Sequence, residues 1–394
     1  MMRSVLCFPT AAAGRLAMLL SVLLVLAGCG EADNTSPPTT RAELDNSIRS
    51  GRDFLIRIQR PEGNFRYETN FLTGVTSDDD HPVRQAGAIW ALALLHQHET
   101  GDDTRAATEK GLAFFSEHSQ TTDDGRRFIT YPGRKRGWTN TLALVTMTLV
   151  DFLQADPNHP QAEEYRTVAN ELVDQMQSLR MKDGLYHARY STQTGNGADD
   201  PSPFSDGEVL LALAKAALHL ERDDLKDSLL ESGDAMFRRW FLENKKQRKQ
   251  FYQWGSMAFL EIYRTKWKGS EVYAERSIEM ANWLVDDIED RQSKYNTSTS
   301  YEGLISAWEI ARLTENEKAK NRIERQIDKG VRHLHTFQVG NPSANAFLKK
   351  NAKKIDDEFL GGVIHAPDST DLRIDVTQHQ MHALILARRY VYRD

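Results

Sequence analysis

The chain has 394 residues, 50 Lys and Arg against 56 Asp and Glu, a formal net charge of −6 and two cysteines. Both signs of charge are interleaved along the chain, which excludes the basic stripe of a nucleic-acid binder, so no nucleic-acid partner is expected. Cys7 and Cys29 both stand near the start, which excludes a disulfide scaffold, a thiolate zinc site and a cysteine nucleophile in the remainder.

Residues 1–28 have the layout of an export signal. Arg3 and Arg15 precede the apolar run Leu16–Leu26, and the small residues Ala27 and Gly28 stand before Cys29. Leu26-Ala27-Gly28-Cys29 resembles the lipobox of bacterial lipoproteins. The resemblance implies cleavage before Cys29, lipidation of its thiol and attachment to a membrane on its periplasmic or extracellular face. With Gly30 rather than Asp after the cysteine, it implies the outer membrane where the host has one. Residues 29–40 form a polar tether rich in turn formers. No later run is long and apolar enough to span a bilayer.

From residue 41 to 394 two kinds of helix alternate. Leu44–Ile58, Thr104–His118, Gln161–Leu179, Asp223–Leu242, Glu271–Ile288 and Lys318–Phe337 carry apolar residues at helical spacing and charges on the opposite face. Between them lie segments apolar nearly all round, beginning near Val83, Thr139, Phe204, Gln253, Tyr301 and Thr377. Six such starts form an internal repeat. The economical arrangement is all-α: an inner ring of apolar helices wrapped by amphipathic ones, an (α/α)6 toroid in one domain. An open helical solenoid is the alternative.

The links are asymmetric. Those from apolar to amphipathic helices are short, whereas the stretches at 60–82, 121–138, 182–204 and 339–376 are long. Long loops in a compact domain are usually functional, and all of these emerge where the inner helices begin. The site is expected on that face.

Several long loops open alike. Gln59-Arg60-Pro61-Glu62-Gly63-Asn64-Phe65 resembles the glutamine–acidic–Gly–aromatic motif of terpenoid cyclases and protein prenyltransferases, and Asp183-Gly184-Leu185-Tyr186 and Asp124-Gly125-Arg126-Arg127-Phe128 are partial echoes. Physically, the glycine permits a left-handed turn after the outer helix and the aromatic staples the loop to the barrel. The architectural resemblance extends equally to six-hairpin glycosidases, polysaccharide lyases and sugar epimerases. Cyclase chemistry is disfavoured because Asp78-Asp79-Asp80 lacks the D-x-D-D pattern, and prenyltransferase chemistry because no zinc cysteine is available.

Candidate catalytic residues are Asp206, Glu302, His379 and His382. A glycosidase needs two carboxyls about the scissile bond, and Asp206 with Glu302 or Asp375 would supply them. Ser205-x-x-Glu208, Thr299-x-x-Glu302 and Thr377-x-x-Gln380 also fit capping boxes, which would give Glu208 and Glu302 a purely structural role. His379 and His382, three apart on one helix side, lack a third ligand nearby, so no metal is expected; neither is any cofactor. A histidine near Asp375 or Asp368 would make a general base. Candidate substrate-binding residues are Arg84, Gln85, Asn140, Glu208, Gln253, Trp254, Tyr301 and Arg373, with Arg84, Asn140 and Arg373 suited to clamping a uronate carboxylate.

Two functions follow as expectations. One is a membrane-anchored enzyme that hydrolyses, eliminates from or epimerises a polysaccharide or oligosaccharide. The other is a non-catalytic lipoprotein that binds a glycan or an envelope protein partner during polysaccharide export or assembly.

Overall fold

The computed structural model describes residues 39–288 and 294–393. The expected export signal, and Cys29 as the expected lipidation site, lie outside the described residues. Thr40 caps the first helix in a reciprocal box with Glu43. Outer and inner helices then alternate: α1 (Arg41–Ile58) outer, α2 (Pro82–His98) inner, α3 (Asp102–Glu117) outer, α4 (Thr139–Ala155) inner, α5 (Ala162–Ser178) outer and α6 (Pro203–His219) inner. Next come α7 (Lys226–Met236) outer, running on into a π-helical stretch at Phe237–Glu243, then α8 (Arg248–Arg264) inner, α9 (Val272–Asp287) outer and α10 (Ser298–Leu313) inner. The outer helix α11 (Glu317–His335), a short α12 (Ala346–Asn351) and the inner helix α13 (Ile374–Tyr390) complete the domain.

The inner helices close on themselves. Each packs on the next in chain order, and α13 returns to pack on α2. Closure gives the (α/α)6 toroid and excludes the open solenoid. It follows from the composition of the inner helices, whose apolar residues are buried both toward the ring and toward the outer layer.

The long loops carry short strands: β1 (Glu68–Asn70), β2 (Ser119–Thr121), β3 (Arg127–Ile129), β4 (Arg136–Trp138), β5 (Arg189–Ser191), β6 (Gly197–Ala198) and β7 (Asp371–Arg373). All pairings are antiparallel: β1 with β7, β2 with β3, and β5 between β4 and β6. The β1–β7 pair, with Thr69 opposite Leu372, joins the first long loop to the last. Strands of two or three residues are too short to leave an alternating pattern in the sequence.

The repeated loop motif has a physical basis. Gly63 and Gly184 adopt φ of 105° and 86°, conformations that glycine tolerates best. The aromatics Phe65 and Tyr186 are fully buried. Each aromatic's backbone N–H then bonds to a side chain one turn into the inner helix: Phe65 to Gln85 Oε1 at 2.8 Å and Tyr186 to Asp206 Oδ1 at 2.9 Å. The last repeat does the same with Val363 and Thr377 Oγ1 at 3.1 Å.

The capping-box expectation is corrected. Helices α6, α10 and α13 start earlier than those boxes require, with Ser202, Thr297 and Arg373 as their N-caps and no side-chain capping bond at any of them. Ser205 and Thr377 therefore stand inside their helices, and neither Glu208 nor Glu302 is occupied at a helix end.

Gly330 of α11 faces the Tyr301 ring so closely that a Cβ there would overlap it. Gly330→Ala must push α11 from α10 or tilt the ring. The expected cost is about 1–3 kcal/mol, the usual range for overpacking, seen as a lowered midpoint in denaturant unfolding; an unchanged midpoint would contradict this packing.

Candidate functional site

On the axis of the ring, near the starts of the inner helices, lies a fully buried carboxylate. Glu302 Oε1 is 3.0 Å from His379 Nδ1 and 3.5 Å from His382 Nδ1, and Gln253 Nε2 donates to its Oε2. Three inner helices, α8, α10 and α13, thus meet on one group. Two indoles shape the cluster: Trp254 approaches His379 at 6.0 Å between ring centroids, and Trp90 meets His382 edge-on at 4.4 Å.

Burial alone would push Glu302 up, but the two imidazoles hold it below the usual carboxylate range. Burial pulls His379 down, and Glu302 and then Asp375 more than compensate, so it sits above the usual imidazole range. His379 is also the most open member of the cluster, with its side chain 18% exposed against 4% for His382 and 0% for Glu302. With Glu302 at Nδ1, His379 presents Nε2 as the working atom of a general acid or base.

A second group forms the rim. Asp375 is clasped by Arg373, at 2.6 and 3.0 Å, and by Arg84 at 3.1 Å, while the Arg84 guanidinium lies 5.4 Å from the centroid of the Tyr67 ring. Burial would raise Asp375, but the two guanidiniums hold it below its ordinary value. A third group is Glu208 with Asn140. Burial raises the Glu208 carboxyl well above the carboxylate range despite a hydrogen bond from Asn140, and Glu208 Oε2 has no protein partner. Its neighbour Gly207 packs against Trp254, and a Cβ at that position would collide with the Trp254 side chain.

Of the residues expected at the site, the structure gathers Gln253, Trp254, Glu302, His379 and His382 into one cluster. Arg84 and Arg373 stand at its rim, and Asn140 and Glu208 are paired with each other. Gln85, Asp206 and Tyr301 are placed elsewhere, between the inner helices and the layer outside them. Gln85 holds the Phe65 backbone by both ends of its amide and also donates to Asp80 at 2.8 Å. Asp206 accepts Tyr186 N–H and, at 2.7 Å, Trp240 Nε1 from the π-helical stretch after α7. Tyr301 turns to Gln326 and Gly330 of α11. A residue one turn inside an inner helix faces outward or inward according to its helical phase, and these three fall on the outward phase.

Asp206 thus has both oxygens taken by buried donors, and burial pushes its carboxyl up to about 8 against the two hydrogen bonds. An amide at this place would turn its NH2 toward one of the two N–H groups. Asp206→Asn is therefore expected to destabilise the fold by about 1–3 kcal/mol, the cost of an unsatisfied buried polar group. Thermal unfolding checks the loss, and residual turnover per folded molecule should stay near that of the wild type.

Sequence reasoning passed over Trp90, Asp151, Lys215 and Glu261, which lie on the axis beneath the cluster. A signal was present: Asp151 interrupts Leu142–Leu153, and Lys215 interrupts Val209–Ala217, both otherwise free of charge beyond their first residues. A charge inside an apolar helix needs a partner, and these two are each other's, with Lys215 Nζ 2.8 Å from Asp151 Oδ1. Among the described residues no group of three or more His, Cys, Asp or Glu side chains is arranged to hold a metal ion.

The closed ring of alternating helices is an (α/α)6 toroid, a fold it shares with solved structures of carbohydrate-active enzymes. In fold the chain is similar to a D-mannose isomerase, with a TM-score of 0.63 and 12% identity over 90% of this chain and 100% of that one. It is also similar to cellobiose 2-epimerase from Bacillus thermoamylovorans, at 0.60 and 12% over 87% of this chain and 98% of that one. A family 76 glycoside hydrolase (mannosidase) from Bacteroides thetaiotaomicron matches at 0.60 and 12% over 88% of this chain and 99% of that one. No family model matches the chain, and no curated protein matches it by sequence.

Proposed function

We propose that the protein is a carbohydrate-active enzyme that moves a proton on a sugar bound at the mouth of the toroid, with His379 as the general acid–base group. One observation carries this reading: Glu302, fully buried, pairs with His379 Nδ1, and His379 is the most exposed group of that cluster. The neutral imidazole takes a proton from a sugar carbon beside a carbonyl or a uronate carboxylate, and the imidazolium gives it back. Isomerisation, epimerisation and elimination share that first step. Arg84, about a third exposed at the rim, is suited to hold the oxygen on which charge develops. Neighbours of the same fold that carry isomerase and epimerase names support the reading.

A second reading, hydrolysis, is favoured by one observation: Glu208 is raised while Glu302 is lowered, the divided pair of carboxyls that an acid and its partner require. The test is incubation of the purified protein with neutral and uronic oligosaccharides, following reducing ends, unsaturated products and epimers separately. In the proton-transfer reading His379→Ala lowers turnover by roughly 10²–10⁴-fold and Glu208→Gln has little effect. The reverse order, with new reducing ends, would establish hydrolysis. Glycan binding without any turnover would leave the non-catalytic lipoprotein.

The pH dependence follows from the same pair. The catalytic form needs neutral His379, so kcat/KM should rise as pH rises through its elevated value. Glu302→Gln removes the charge that lifts His379, so that rise should move to lower pH; an unmoved profile would exclude the pairing from catalysis. The stabilising part of the interaction runs the other way. It is complete below the unfolded imidazole value and is lost as pH rises through the raised one.

The same proposal places the enzyme on a membrane through lipidated Cys29, on the periplasmic or extracellular face and in the outer membrane where there is one. Cys29→Ser should move the protein from the membrane fraction to a soluble or uncleaved form, read by fractionation and electrophoretic mobility.

A further inference from the structure

Beneath the His379–Glu302 cluster the axis of the toroid stays polar. Trp90 Nε1 donates to Asp151 Oδ2 at 2.7 Å, and Lys215 takes the other Asp151 oxygen at 2.8 Å. Burial pulls Lys215 down, but Asp151 and Glu261 hold its ammonium above its ordinary range. Glu261 is 8% exposed; Arg264 takes its Oε1 at 3.1 Å, while its Oε2 is buried without a hydrogen-bond partner. Between these groups is a cavity of about 30 Å³, and Trp90, Lys215, Glu261, Ser306, His382 and Arg389 are among its lining residues.

That space exceeds what one water needs, and its wall supplies the two to four polar partners that make a buried water favourable. Lys215 has N–H groups beyond the one on Asp151, Glu261 Oε2 accepts no hydrogen bond although His219 Nε2 of α6 stands 4.0 Å from it, and His382 forms the upper wall. Arg389 and Tyr390, at the end of α13, form the lower wall on the face opposite the mouth. The charged and titratable groups around His382 are therefore Glu302 from α10, His379 and Arg389 from α13, Lys215 from α6 and Glu261 from α8. Asp151 of α4 stands behind Trp90 of α2.

We propose that this axial cavity holds a water bridging Glu261 Oε2, Lys215 and His382, and that it connects the buried imidazole–carboxylate cluster to solvent on the face opposite the mouth. A proton leaving His382 enters the water as the water passes one of its own to Glu261, so one proton moves down the axis and the water is regenerated. The cluster can then reset its protonation while a bound sugar covers the mouth. The use of this route in catalysis rests on the proton-transfer reading above, but the route itself does not.

The test reads the imidazoles directly. In the purified full chain, ¹⁵N-labelled at histidine, exchange of the His382 ring proton with water is measured in the wild type, in Leu211→Phe, which fills the cavity from α6, and in Glu261→Gln, which keeps its volume. Slowing by tenfold or more in both folded variants is the expected result. A crystal structure should place an ordered water within hydrogen-bond distance of Glu261 Oε2 and Lys215 Nζ. Unchanged exchange in Glu261→Gln, or a dry cavity in the crystal, would overturn the proposal; if Leu211→Phe fails to fold, these two measurements still decide it. Slowed exchange in a protein that turns over no sugar would sink the catalytic reading and leave the proton route standing.

Discussion

The structure depends on one constraint: six nearly apolar helices close into a ring whose axis is out of reach of bulk water over most of its length. Any polar side chain on that axis must find its partner inside the ring. Glu302 finds two imidazoles and an amide, Asp151 finds an indole and an ammonium, and Glu261 finds Arg264. Removing one partner from such a buried charge is far more costly than breaking a surface pair. The axial groups are therefore held by partners that the protein itself supplies.

The same ring accounts for the division of labour between its two sides. Outward-facing positions one turn into the inner helices serve the loops, as Gln85, Asp206 and Thr377 do for Phe65, Tyr186 and Val363. Inward-facing positions nearby carry Glu208, Glu302 and His379. Two carboxylates two residues apart, Asp206 and Glu208, thus have unrelated roles. The first fastens a loop and the π-helical stretch after α7, and the second stands beside Asn140 with an oxygen unclaimed by the protein.

Burial raises Asp206 and Glu208 alike, yet Glu302, equally buried, is lowered, because only Glu302 has imidazoles beside it. Desolvation and charge pairing act in opposite directions, and the identity of the neighbour across the ring decides which prevails. His379 is lifted by the same contact that lowers Glu302. Acid–base chemistry at the mouth is therefore set by α10 and α13 together, and the β1–β7 pair joins the loops bordering that region.

The sequence by itself determined the helices, their alternation and hence the toroid, because periodicity and the all-round apolar character of every second segment are local properties. It also marked the loop glycines and aromatics, whose conformations depend on a few neighbouring residues. Which carboxylate meets which histidine was beyond it. His379 and His382 are one turn apart and visible as a pair, but Glu302 lies 77 positions before His379, and only the tertiary packing of successive inner helices brings α10 against α13. The capping boxes misled for a related reason: the loops hand over to the helices a turn earlier than local pattern suggests, so Glu208 and Glu302 were freed from the helix ends. Helical phase then sent Asp206, the fourth residue of its helix, outward and Glu302, the fifth of its own, inward, because one residue turns a helix by about 100° and the true helix starts were not legible in the local pattern.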